Sequence, residues 1–132
     1  MQYKTDLKEK FTVLTILDAT LTSNSVPEIN ELTQKILSQS PKNLVLNCGH
    51  VKQWDASIIA VLGNAQQHFY DNNASFVICA LSEDLQKGID DSEYAEMMNL
   101  TPTETEAWDI VQMEEIEREL LDSDDIEFSA EI

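Results

Sequence analysis

The chain of 132 residues reads as a single α/β domain, a mixed and mostly parallel sheet flanked by helices. Three observations predict it. Two apolar runs of strand length, Leu44-Val45-Leu46 and Phe76-Val77-Ile78-Cys79-Ala80-Leu81, are bounded by turn residues. The segments around them carry apolar residues every three or four positions, so strands alternate with helices, as crossover connections between parallel strands require. The length is that of one domain, enough for a sizeable core but not for two.

Residues 3–7 and 11–17 read as two short strands joined by the polar turn Lys8-Glu9-Lys10, an opening hairpin that makes the sheet mixed. Phe11, Val13, Thr15 and Leu17 fall on one side of the second strand, and Thr12, Leu14 and Ile16 on the other. Leu21 and Thr22 lead through Ser25, Val26 and Pro27 into a helix with an apolar stripe of Ile29, Leu32, Ile36 and Leu37. Ser25 is the expected cap, Pro27 suits the first turn, and Ser40 and Pro41 stop the helix. Leu44 to Leu46 form a central strand that Asn47, Cys48, Gly49 and His50 slow into a turn.

A helix over 55–70 follows, with Asp55 placed to cap its first free amides, Ile58, Leu62, Ala65 and Phe69 on one face and Ile59 beside them. Asn64, Gln66, Gln67 and His68 fill much of the other face. Asp71, Asn72 and Asn73 provide the turn before the strand at 76–81. Ser82 caps a helix expected over 82–98, with Leu85, Ile89 and Met97 in the core and Gly88 as a weak point. Pro102 restricts 100–105 to an extended or edge segment, a short last strand. The final helix spans 104–121, with Ala107, Trp108, Val111, Met113, Ile116 and Leu120 expected in its buried stripe. Residues 1–121 thus make the domain, and 122–132, acidic and short of apolar side chains, a loosely attached or disordered tail.

Charge narrows the function classes. The net charge is −17, and nearly all of it lies late: residues 90–132 carry sixteen acidic side chains and one cation, Arg118. Such a surface repels phosphates and anionic lipid heads, so direct nucleic-acid binding is disfavoured, and no apolar run is long enough for membrane insertion. A solvated face that maintains solubility is the simpler reading, and docking of a basic protein patch is the other. Cys48 and Cys79 lie in apolar strands and read as reduced, unbridged thiols; with no leader-like opening segment, the expected compartment is the cytoplasm. Two cysteines and two histidines without close paired spacing predict no metal site, and no motif predicts a cofactor.

The most specific segment is the turn into the second helix. Leu44-Val45-Leu46-Asn47-Cys48, then Val51 and Trp54 as an apolar approach, then Asp55-Ala56-Ser57-Ile58-Ile59 resemble the strand, turn and helix start of the STAS family, typified by anti-sigma factor antagonists. The family pattern is Leu-Val-Leu-Asp-Leu followed by Asp-Ser-Ser-Gly-Leu, and the likeness extends over about residues 1–120. It implies a STAS-like fold. It further implies that the loop before Asp55 and the helix start are read by a partner protein, an anti-sigma factor or a kinase-like switch protein.

Trp54, Asp55, Ala56, Ser57 and Ile58 are the partner-binding candidates. Two departures matter. Regulated members of the family are phosphorylated directly after the aspartate, where this chain has Ala56, and Ile58 replaces the family glycine. Alanine has no hydroxyl, so the usual switch cannot operate there. Ser57 is the nearby hydroxyl; an ordinary first-turn serine is the preferred reading, with a phosphoacceptor as the alternative.

No enzyme is predicted. Asp55 with Ser57 lacks a positioned histidine or lysine, and there is no glycine-rich phosphate loop. The leading expectation is a noncatalytic protein-binding regulator. The alternative is a structural or scaffold subunit docking through its acidic C-terminal helix.

Overall fold

The computed structural model describes the backbone of residues 1–131 and the side chains of residues 1–121. Strand β1 (Tyr3–Leu7) pairs antiparallel with β2 (Thr12–Ile16), Tyr3 opposite Ile16 and Leu7 opposite Thr12. Parallel pairing then carries β2 to β4 (Leu44–Asn47), β4 to β6 (Phe76–Cys79) and β6 to β7 (Leu100–Thr101), giving the order β1-β2-β4-β6-β7. The predicted mixed, mostly parallel sheet is therefore present, with β4 at its centre.

Alternation along the strands sorts the core into two layers. Leu14, Leu46 and Ile78 lie in register across β2, β4 and β6, and face α1 (Val26–Leu37) and α2 (Ala56–Asp71) through Ile29, Ile36, Leu62 and Phe69. Val13, Val45 and Val77 form the matching row on the opposite face, beneath Ala107 and Val111 of α4 (Glu104–Glu131). Both faces are covered, which is why all five residues of β2 are buried while all five of β1, at the edge, are exposed. Among the described residues no helix is long and apolar enough to cross a membrane.

Several elements depart from expectation. Ser25 makes no side-chain cap; Thr22 instead accepts from the Asn24 amide and opens a 3-10 turn, Ser23–Ser25, that runs into α1. A two-stranded parallel ribbon, β3 (Thr20–Leu21) with β5 (Gln53–Trp54), was not predicted. Helix α3 (Glu83–Asp90) is capped by Ser82 as expected but stops eight residues short of 98. The Ser92 hydroxyl takes the Ile89 carbonyl at 2.6 Å and accepts the Tyr94 amide at 3.2 Å, local bonds that compete with further helix. Gln66, assigned to the polar face of α2, is buried.

Helix α4 corrects the expected stripe: Ala107 and Val111 are buried, but Met113, Ile116 and Leu120 are exposed, because the sheet lies on the opposite side of the helix. Its backbone runs past 121. The expectation of a loose tail over 122–132 concerns side chains outside those described.

Ala80, directly after β6, has φ of 64°, a left-handed conformation that costs an L-residue roughly 1 kcal/mol. Ala80→Gly should therefore stabilise the fold by about 0.5 kcal/mol, net of glycine's greater freedom in the unfolded chain. An equilibrium urea titration measures it; an unchanged or lower midpoint would refute the strain.

Candidate functional site

The turn after β4 lies at the carboxyl end of the central strand, where open parallel sheets expose their loops. Asn47 shapes it, accepting the Gly49 amide at 2.9 Å while its amide nitrogen reaches Glu104 at 3.3 Å. The Cys48 amide donates to the Cys79 carbonyl at 3.0 Å, and the Val51 amide closes back on the Cys48 carbonyl at 3.0 Å. Buried Val51 pins the loop to the core. The Lys52 and Gln53 amides then converge on the Ala19 carbonyl at 2.7 and 3.1 Å, which aligns β5 beside β3 and delivers the chain to Asp55.

Asp55 caps α2 from an extended backbone, φ −100° and ψ 175°. One carboxylate oxygen accepts the Ser57 amide at 3.1 Å and also the Ser57 hydroxyl. The other accepts the Ser23 amide at 3.1 Å, so a single carboxylate joins the start of α2 to the turn that opens α1. The Ser57 hydroxyl holds the carboxyl below the usual aspartate range; desolvation opposes it, and the Ser23, Ser57 and Ile58 amides add to the lowering.

A depressed folded-state value means the carboxylate's contribution is complete above its ordinary value near pH 4 and is lost as pH falls through the lower one. The amide resonances of Ser23 and Ser57 should therefore shift together in acid, with a common midpoint below that of an unstructured aspartate. Separate midpoints would break the assigned bridge.

The candidate residues divide clearly. Asp55 and Ala56 are exposed, Trp54 and Ser57 half-buried. Ile58 is fully buried against the core, which corrects its assignment to the contact surface: one position along a helix turns a side chain by about 100°, here from solvent into the core. It anchors the helix start instead. Beside these residues a groove of about 470 Å³ opens between α2 and α3, with Lys52, Trp54, Ile59 and Asp84 on its walls. Gly88 belongs to it as well; a Cβ there would meet Ile59 Cδ1 at 3.4 Å, an ordinary contact. Sequence reasoning had missed Ser23, Asp84 and Gly88 as parts of this surface. Only the polar cluster Thr22-Ser23-Asn24-Ser25 hinted at the first.

This arrangement suits recognition better than catalysis. A carboxylate with depressed pKa is a weak base, and the Ser57 hydroxyl is already committed to it. The two cysteines are free and buried; desolvation pushes Cys79 up to about 11 and Cys48 higher still, so both thiols are inert.

The model of the STAS domain family matches residues 4–107. No match was found among curated protein sequences. Among solved structures, a putative anti-sigma factor antagonist from Thermotoga maritima is similar with a TM-score of 0.71 at 12% identity, over 83% of this chain and 94% of that one. A STAS domain protein of Planctomyces limnophilus gives 0.69 at 16% identity, over 80% and 93%. The phosphorylated form of the Bacillus cell fate determinant SpoIIAA gives 0.63 at 16% identity, over 83% and 99%. At these identities the solved structures establish the shared fold.

Proposed function

The chain belongs to the STAS domain family, and from that premise we propose that it is a noncatalytic protein-binding regulator of the anti-sigma factor antagonist kind. The observation that carries the reading is an exposed, rigidly capped helix start that presents the Ala56 methyl where regulated members of the family present a serine. Trp54, Asp55, Ala56 and Ser57 form the contact surface, and the partner is an anti-sigma factor or a kinase-like switch protein.

Ser57 is a poor substitute acceptor. Its hydroxyl points at the Asp55 carboxylate, so a phosphate there would set two like charges together and break the cap. Binding competence is therefore constant at this position, and any control acts elsewhere.

A second reading, a scaffold subunit docking through α4, has one observation in its favour. Met113, Ile116 and Leu120 form an exposed stripe on the outer face of that helix, among acidic neighbours. Capture of partners from native lysate on the immobilised chain, with identification by mass spectrometry, tests both. A kinase-like or anti-sigma protein, retained by the chain and released by changes at Asp55 and Ala56 but not by Ile116→Ser, supports the first reading. Dependence on Ile116 alone would replace it with the second.

A further inference from the structure

Helix α4 has a covered side and a bare one. Ala107 and Val111 pack on the sheet, and Arg118, the one cation of the helix, turns the same way to reach Glu115 at 3.0 Å, Ser75 at 3.2 Å and Asn43 at 3.5 Å. Met113, Ile116 and Leu120 belong to neither apolar cluster of the core. They are 58%, 54% and 53% exposed, and their helical spacing sets them in one line on the side away from the sheet, about 10 Å long.

The charge around this line has a single sign. Glu117 and Glu119 stand on its two flanks, and Glu106 and Asp109 continue it toward the start of the helix, all exposed to water. A second copy of the chain is a poor cover for it. Such a pairing would set the same carboxylates against one another at a net charge of −17 per chain, and three half-exposed side chains offer far less than the roughly 1,200 Å² that a stable dimer buries.

An apolar line between carboxylates is matched by another helix that repeats apolar residues at the same spacing and carries lysine or arginine on both flanks. We propose that the outer face of α4 docks a basic amphipathic helix of a partner protein. The inference rests on the second reading above and deepens it by stating the chemistry of what α4 holds. It does not compete for space with the first, because α4 and α2 lie on opposite faces of the sheet.

The test must separate a docking face from general attraction to an acidic chain, which is strongest at low salt. The probe is a synthetic helix of about four turns, with leucines at helical spacing and lysines on both flanks, titrated by calorimetry into the full chain at about 150 mM salt. A scrambled peptide of the same composition carries the same charge without the stripe. One-to-one binding on the order of 10–100 µM is expected for the ordered peptide, roughly tenfold or more tighter than for the scrambled one.

Ile116→Ser should weaken the ordered peptide roughly tenfold, and the fold tolerates it because the side chain is already half in water. Glu117→Gln should weaken it several-fold, while Glu31→Gln, which removes the same charge from α1 across the sheet, should change it less than twofold. Equal affinity for the two peptides, or equal losses at Glu117 and Glu31, would overturn the proposal. So would a dimer of the native chain, seen by sedimentation, that Ile116→Ser dissociates, since a second copy would then own the face. Capture from lysate that depends on Ile116, without binding of the peptide, would remove the basic helix and leave the scaffold reading standing; loss of Ile116 dependence in both experiments would remove both.

Discussion

Ala56→Glu is expected to weaken partner binding about 100-fold, the range of a central contact residue, without weakening the fold. The two effects separate because of where Ala56 sits. It is the first residue of α2, exposed beside the Asp55 cap, and a carboxylate in a first helical turn is favoured by the helix dipole. The same side chain projects a charge onto a surface that a partner must approach closely and dehydrate.

Ala56→Ser should change affinity little. It restores a hydroxyl, so a family-type serine kinase with ATP should phosphorylate the variant and leave the native chain untouched. Titration calorimetry with the captured partner, together with intact-mass measurement after kinase treatment, checks both. Unchanged affinity in Ala56→Glu would mean that the partner binds elsewhere, and a phosphate on Ser57 of the native chain would mean that the switch had moved rather than vanished.

Gly63→Ala should destabilise the domain by roughly 2 kcal/mol, which for a chain of this size lowers the thermal midpoint by several degrees. On an isolated helix the same change would stabilise by about 1 kcal/mol. The sign is reversed by Tyr94, whose ring lies on the α2 backbone: a Cβ at Gly63 would stand 2.3, 2.5 and 2.7 Å from ring atoms Cδ1, Cγ and Cε1. Because the ring root is involved, a tip rotation cannot relieve the contact, and the 91–98 segment must lift away. In a Tyr94→Ala background the helix preference should return, making Gly63→Ala mildly stabilising. Denaturant titrations of the four members of this cycle test it; a Gly63→Ala cost that persists without the tyrosine would assign the effect to something other than the ring.

The parts of this molecule that were legible in the sequence are those written in local chemistry. Leu44 to Leu46 and Phe76 to Cys79 are apolar runs bounded by turn residues, and both form central strands. Asp55 and Ser82 cap helices as their positions predict, since a cap depends only on the next three amides.

The illegible parts are long-range. Thr20 and Leu21 pair with Gln53 and Trp54 across 33 positions, and a two-residue strand has no period to detect. Periodicity placed Met113, Ile116 and Leu120 on one stripe of a helix, but cannot say whether the sheet lies under that stripe or opposite it. At the site, the cap was readable and its second bond to Ser23 was not. Asn43 shows the limit most sharply. Its buried amide binds the Lys10 carbonyl, Glu115, the Ser75 amide and Arg118, tying the starts of β2, β4 and β6 to α4 from a single polar residue just ahead of the apolar run Leu44 to Leu46.

The exposed outer strand sets a boundary on how such a molecule meets its neighbours. Strand β1 offers unpaired backbone groups on its free side, an open template for another chain to extend. Lys4, Asp6 and the adjacent Lys8, itself drawn to Asp6 at 3.1 Å, stand along that margin, and an incoming strand would have to strip water from them before gaining a ladder of its own. Sheet-to-sheet growth is thereby discouraged at the one long edge, and encounters are left to the loops and helix ends, where side-chain identity rather than generic backbone pairing decides who binds.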